Sequence, residues 1–345
     1  MKIAIVTDAW LPQTNGVVTT LRRTGECLEI MGHEVLFVTP LDFKTIPLPT
    51  YPDIRLAIFP GRKVFRTLDN FEPDAIHIAT EGPLGNAAKR YCKKRNLKFT
   101  TAYHTQFPYY VRLRAPIPVS LTYAFLRNFH RRSERIMVPT ESQRQELINW
   151  GFKNVVIWSR GVDTDLFRIR DKSFIQDPRP ISMYTGRVAV EKNLDAFLTL
   201  DIPGTKYIVG DGPDLEQLKE KYPAARFVGF KFGEELAKYM AAADVFVFPS
   251  RTDTFGIVML DAMACGVPVA AYPVTGPIDV IEHGVTGIID KDLKLAVEKA
   301  LKLSADDARH YAEGHSWIAA TKQFFSHLEF NQREINYGSA NEPVI

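Results

Sequence analysis

Short apolar runs recur along this chain, and each is followed by a loop and then a stretch of helical period. The first half holds KIAIVTD, HEVLFVTP, DAIHIAT, FTTAYHT and RIMVPT. The second half holds ISMYTGR, KYIVGDGP, ARFVGF, DVFVFPS and PVAAYPV. Apolar strands separated by helices pair in parallel, because a helical crossover returns the chain to the same end of the sheet. Such a sheet carries helices on both faces and is doubly wound. The rhythm breaks once, at FRIRDKSFIQDPRPIS, where prolines and charges replace it. The sequence therefore predicts an α/β protein of two doubly wound parallel-sheet domains, 1–166 and 181–314, joined by a connection at 167–180. The helix SWIAATKQFFSHLEF, within 315–330, lies beyond the second domain's strands and is expected to cross back to the first. Residues 331–345 read as a polar tail.

Composition sets outer limits. A chain of 345 residues supports two full cores. The opening MKIAIVTDAW meets an acid within eight residues, where a secretory signal would stay apolar. No window is apolar for long enough to span a membrane. Cys27, Cys92 and Cys265 are scattered, which argues for a reducing cytoplasm and against a zinc site. The net charge of +3 divides unevenly: residues 1–165 carry +8 and residues 166–345 carry −5. Halves of opposite sign suggest different partners. The overall charge is modest for nucleic acid and no nucleic-acid motif is present, so no such partner is expected.

In an open parallel sheet, ligands bind outside the carboxyl ends of the strands. For two such sheets, that place is the cleft between them. DVFVFP is a strand there, SRTDT its loop, and Phe255, Gly256 and Ile257 the first turn of a helix. Helix-start amides make a phosphate site, and glycine lets a ligand approach. Asp253 precedes the helix, where the alternative is a simple N-cap. Asp261, about one and a half turns in, is placed to meet the two hydroxyls of a ribose; the alternative is a solvated helix residue. TGRVAVEKN puts Arg187 and Lys192 at another strand end, a clamp for a diphosphate. VGDGP, with Gly210, lacks the glycine spacing of a dinucleotide site. Asn15-Gly16 opens a helix after the first strand. His104 ends a strand among aromatics, and His77 reads as core.

In chain order, NGVV, AYHTQFP, RGVDTDLF, GRVAVEKN, VGDGP and SRTDTFGIVMLDAMACGVPVAA resemble the retaining glycosyltransferases of family 4, which have the GT-B fold. The resemblance covers about residues 1–320. It implies two Rossmann-like domains facing a cleft, a nucleotide-sugar donor held mostly by the second, and no metal or other cofactor. The family's acidic pair, Glu-x7-Glu, falls on Asp253 and Asp261, each one methylene shorter. Asp253 would meet the donor sugar and Asp261 the ribose. The phosphate cations fall on Arg187 and Lys192, the phosphate-facing glycine on Gly16, and the reaction-centre histidine on His104. Phe230 and Lys231 fall where the family contacts the base. Gly210, Thr254, Phe255, Gly256 and Ile257 complete the expected donor set. Arg160 stands where the family usually has Asn, and no role carries over to it. Asp163-Thr-Asp165 spells D-x-D but lies inside this family's own pattern, so it is read as non-metal.

KRYCKKRNLK and the segment 107–135 interleave cations with aromatic and aliphatic residues, which suits an anionic membrane surface. The alternative is a solvated face over a core helix. Glu81 and Tyr110 are the acceptor-side candidates, and Glu81 serves equally as a helix cap. TAYHTQFPYYV, NVVIWSRGVDTDLF and SRTDTFG look most similar to diacylglycerol glycosyltransferases. The expectation is a metal-independent hexosyltransferase, peripheral on the inner face of the membrane. It would move glucose or glucuronate from a UDP-linked donor to diacylglycerol. A polysaccharide or lipid-linked glycan acceptor, a UDP-sugar 2-epimerase and a non-catalytic binding module are the alternatives.

Overall fold

The apolar runs become strands covered on both faces, which is why they carry no alternation. The structure is a computed structural model that describes residues 1–331 apart from 14, 49, 50 and 115, with backbone only at 51–53, 110, 113 and 114. The first half runs β1 (Lys2–Val6), α1 (Gly16–Ile30), β2 (Glu34–Val38), β3 (Thr45–Leu48), β4 (Tyr51–Ala57), α2 (Gly61–Phe71), β5 (Ala75–Ile78) and α3 (Pro83–Arg95). It continues with β6 (Thr100–Ala102), α4 (Phe107–Arg114), α5 (Val119–His130), β7 (Ile136–Val138), α6 (Glu141–Asn149) and β8 (Val155–Ile157). The second half runs β9 (Ile181–Thr185), α7 (Leu194–Leu198), β10 (Thr205–Val209), α8 (Leu215–Lys221), β11 (Arg226–Phe227), α9 (Gly233–Ala242) and β12 (Val245–Phe248). It closes with α10 (Ile257–Ala264), β13 (Val269–Ala271), α11 (Pro277–Val280), β14 (Gly287–Ile289), α12 (Leu293–Ala300), α13 (Ala305–Glu313) and α14 (Trp317–His327).

Two six-stranded sheets result, ordered β2-β1-β5-β6-β7-β8 and β11-β10-β9-β12-β13-β14. Every pairing within them is parallel. Each sheet reverses its winding beside the first strand of its half, β1 or β9. Val6 faces Ile78 at one reversal, and Phe246 faces Met183 at the other. These are the switch points where an open α/β sheet leaves a crevice. The loops after β1, β5, β9 and β12 therefore border the crevices.

Three features depart from the sequence reading. β3 and β4 form an antiparallel hairpin that no apolar run announced. Helix α10 begins at Ile257; Phe255 lies before it and Gly256 is its N-cap. Asn331, placed in the tail, is held: its amide nitrogen donates to Asp74 O at 2.8 Å and its side-chain oxygen accepts from Lys98 N at 2.8 Å. Residues 332–345 lie outside the described residues. The connection packs on the second domain, with Ile175 in that domain's core and Lys172 and Arg179 both on Asp244 at 2.9 and 2.5 Å. Helix α14 puts Phe324 into the core of the first sheet beside Ile3, Ile5 and Trp158.

Candidate functional site

The loop after β12 is shaped by Gly256, whose φ of 81° is left-handed. A Cβ there would lie 2.9 Å from Phe248 and 2.8 Å from Met259, so a side chain is excluded on both backbone and packing grounds. The turn launches α10 with no side-chain cap. Its first-turn amides are open to an anion, and the helix dipole favours one. The start of α1 differs. Val17 and Val18 N–H donate to Asn15 Oδ1 at 3.0 and 3.1 Å, which consumes two of its amides. Gly16 lies against α10: a Cβ on it would stand 3.5 Å from Ile257 Cδ1. The two helix starts thus meet across the cleft, and α10 supplies most of the free N–H groups.

Beside α10 is an ion pair that sequence spacing conceals. Lys192 Nζ donates to both carboxylate oxygens of Asp253, at 2.7 and 2.8 Å. Both side chains are about four-fifths covered, at 18% and 17% exposure, so the pair is poorly screened. Lys192 ends a 3-10 turn held by Asn193, which donates to Pro249 O at 3.0 Å. Arg187 follows β9 and is half-buried, with its carbonyl accepting from Tyr184 Oη at 2.9 Å. Asp261 sits deep in the cleft with a small opening to solvent, and its carboxyl makes no hydrogen bond among the described residues. Burial pushes it up to about 8; the Arg23 charge opposes this and the Asp163 charge adds to it. Arg23 itself donates to Asp163 Oδ2 at 2.9 Å.

The first domain contributes His104, two residues past the end of β6. Thr254 Oγ1 donates to His104 O at 2.8 Å, and Thr140 Oγ1 donates to Thr254 O at 3.3 Å, so this loop is stitched to the Asp253 loop. His104 Nδ1 lies 3.3 Å from Arg160 Nη2 and accepts from it, leaving the proton on Nε2. That Nε2 is buried without a partner. Burial, with the Arg160 and His77 charges, holds His104 well below the usual histidine range, so it is a neutral donor.

The other expected residues are placed as follows. Phe255 is buried in the second domain's core and offers only backbone to a ligand, while Ile257 packs between the domains. Gly210 crosses Gly186 so closely that a Cβ would meet Gly186 O at 1.8 Å. Phe230 stacks on Phe232 at the surface, ring centroids 5.8 Å apart. Lys231 pairs with Glu235 at 2.8 Å. Glu81 pairs with His130 at 3.2 Å and caps no helix. Asp8 does that work, accepting from Leu84 N at 2.9 Å and Gly85 N at 3.3 Å. The side chain of Tyr110 lies outside the described residues. Sequence reasoning passed over Asp8, Arg23 and Arg160. Asp8 and Arg23 carried no spacing signal, and Arg160 stood out only as a departure. Among the described residues no group of three His, Cys, Asp or Glu side chains is arranged to hold a metal ion.

A second polar feature lies on the first domain. Lys89, Arg90 and Lys93 of α3 and Arg131 and Arg132 after α5 line a groove of about 270 Å³. No acid lines it. Burial and the two arginines push Lys89 down from its usual value. Phe107 of α4, Ile117 before α5 and Leu121 and Phe125 of α5 are exposed apolar residues on the same domain.

Comparison with known proteins gives two family matches. Residues 14–166 match the model described as Glycosyltransferase Family 4, and residues 179–306 match Glycosyl transferases group 1. A GDP-mannose-dependent alpha-mannosyltransferase of Corynebacterium glutamicum is 30% identical over 90% of this chain and 82% of its own length. An alpha-monoglucosyldiacylglycerol synthase of Streptococcus pneumoniae is 27% identical over 90% of this chain and 80% of its own. The solved structure of Anabaena Alr3699/HepE in complex with UDP-glucose superposes with a TM-score of 0.71 at 18% identity, over 94% of this chain and 98% of that one.

Proposed function

The chain belongs to glycosyltransferase family 4, with the GT-B arrangement of two parallel-sheet domains, and from that premise we propose that it transfers a hexose from a UDP-linked sugar to diacylglycerol at an anionic membrane surface. The observation that carries this reading is the Lys192–Asp253 pair at the open start of α10. It sets a cation, a carboxylate and free amides side by side at a switch point. A departing pyrophosphate needs the cation and the amides, and a sugar hydroxyl needs the carboxylate.

The transfer breaks the bond between the anomeric carbon and the β-phosphate oxygen. Negative charge grows on the diphosphate and positive character on the sugar ring. Lys192, Arg187 and the first amides of α10 stabilise the leaving group, and the chain's own cations fill the role that a metal has elsewhere. Asp253 accepts from the donor sugar's hydroxyls. Asp261, once ionised, accepts from the ribose. His104 presents Nε2–H to the sugar and positions it without attacking. The acceptor hydroxyl then bonds to the anomeric carbon on the face the phosphate leaves, so configuration is retained, and the departing phosphate takes the acceptor's proton.

The basic groove and the exposed apolar residues of α4 and α5 support a lipid acceptor, because cations beside apolar side chains suit a headgroup layer. No helix among the described residues is long and apolar enough to cross a membrane. The S. pneumoniae relative's name supports diacylglycerol. The C. glutamicum relative favours a second reading, a GDP-mannose donor in the same pocket. A screen of UDP-glucose, UDP-glucuronate and GDP-mannose against diacylglycerol, with lipid products read by mass, tests both. The proposal expects a hexosyl-diacylglycerol from a UDP donor. A product from GDP-mannose alone selects the second reading, and no lipid product from any donor overturns both.

A further inference from the structure

The most deeply buried arginine near the cleft has no acid to face. Arg160, just after β8, is 4% exposed. Its guanidinium lies over the Trp158 ring, 4.5 Å from the centroid. Nη1 donates to Trp158 O at 2.5 Å and Ser159 O at 3.0 Å, and Nη2 donates to His104 Nδ1 at 3.3 Å. All three acceptors are neutral. Burial pushes this arginine down to about 9, with no neighbouring carboxylate to oppose it. Nearby acids are engaged elsewhere: Asp253 on Lys192, Asp163 on Arg23, and Glu81 on His130. A buried cation held only by neutral groups is costly, and its retention calls for an anion that arrives from outside the fold.

Position narrows the anion. His104 stands between Arg160 and Thr254, so the guanidinium lies one side chain away from the Asp253 loop, on the first-domain wall. The diphosphate already has Arg187, Lys192 and the α10 amides in the reading above. The buried Nε2–H of His104 has no partner among the described residues, and in the reading above it serves the sugar ring. A planar fork beside a ring-binding donor fits a ring carboxylate, which takes two parallel N–H bonds. We propose that Arg160 is a specificity residue that reads the carboxylate of a uronosyl group, carried by the donor sugar or by the acceptor. This rests on the glycosyl-transfer reading and adds the charge of the substrate to it.

The test compares wild type with Arg160→Gln, which keeps a hydrogen-bonding side chain, and Arg160→Lys, which keeps the charge and loses the fork. One arm measures kcat/KM for UDP-glucuronate against UDP-glucose on diacylglycerol. The other measures a neutral donor on glucuronosyl-diacylglycerol against glucosyl-diacylglycerol. Both are ratios within one protein, so a folding defect cancels. Arg160→Gln should lower the charged-to-neutral ratio about a hundredfold in one arm, beyond any loss that charged and neutral substrates share through His104. Arg160→Lys should fall in between. The arm that responds identifies the source of the carboxylate. Equal losses on charged and neutral substrates, or no change in either ratio, overturn the proposal. Calorimetry of UDP-glucuronate and UDP-glucose, and of glucuronosyl- and glucosyl-glycerol with UDP, reads the same ratios without turnover. An absence of product then fails the transfer reading, while an unchanged binding ratio fails this one.

Discussion

Lys192 and Asp253 form a contact that each residue needs. In the proposed mechanism Lys192→Ala removes a leaving-group cation, and it leaves the covered Asp253 carboxylate without the Lys192 ammonium. A fall in kcat of about 10²–10³ is expected in a lipid-product assay, while the donor KM changes far less. Asp253→Asn keeps the shape and removes the negative charge, and should lower kcat with UDP affinity retained. Asp261 makes a separate prediction through its proton. Its ordinary value of 3.8 rises to about 8 in the folded chain. Between those values the unfolded chain has released a proton that the folded chain keeps, so stability falls as pH climbs through that window. Asp261→Asn removes the effect. Its melting temperature, compared with wild type at pH 5 and pH 8, should gain relative to wild type at the higher pH. Ribose hydroxyls favour the ionised carboxyl, so UDP binding at pH 7 should release a proton. Calorimetry in buffers of different ionisation enthalpy should see that release in wild type and not in Asp261→Asn.

The helices and strands that carry these residues differ in how openly the sequence declares them. The run DVFVFP could only be a buried strand, and the glycine after it marked the turn. That turn holds Gly256 left-handed, so Gly256→Ala should cost about 1–2 kcal/mol from backbone strain alone. Displacing Phe248 adds to this, and urea unfolding measures the total. UDP affinity should fall with it as the α10 amides turn away. The β3–β4 hairpin stayed hidden because prolines interrupt both runs, and proline demotes a strand to an edge or to none. The first-domain helix start read as a phosphate site, but Asn15 turns back on its own amides, a choice of rotamer that residue type alone does not fix. Lys192 and Asp253 are 61 residues apart, and the pair follows from which strands lie side by side. Arg160 and His104, 56 apart, are joined in the same way. Residue types at strand ends were legible one by one; their pairings belong to topology.

Across the whole molecule, charge is divided as the proposed function requires. The first half carries +8 and the second −5, and the cations of α3 and the turn after α5 concentrate in one groove. Each basic residue near an anionic surface contributes about 1 kcal/mol, so Lys93→Ala with Arg132→Ala should weaken binding to phosphatidylglycerol vesicles about thirtyfold. Flotation measures it, and the loss should shrink in high salt and vanish on neutral vesicles. Between the domains, Thr254 reaches His104 and Ser142 reaches Asp279, while α14 ties the end of the chain to the first sheet. The cleft is thus framed from both sides before any ligand arrives. The most direct measurement of the central claim is the structure of the protein with UDP bound. The account predicts the β-phosphate against the Ile257 and Val258 amides, within hydrogen-bond reach of Arg187 and Lys192, with the ribose on Asp261. Nucleotide seated elsewhere, with the Lys192–Asp253 pair and the start of α10 facing only water, would contradict it.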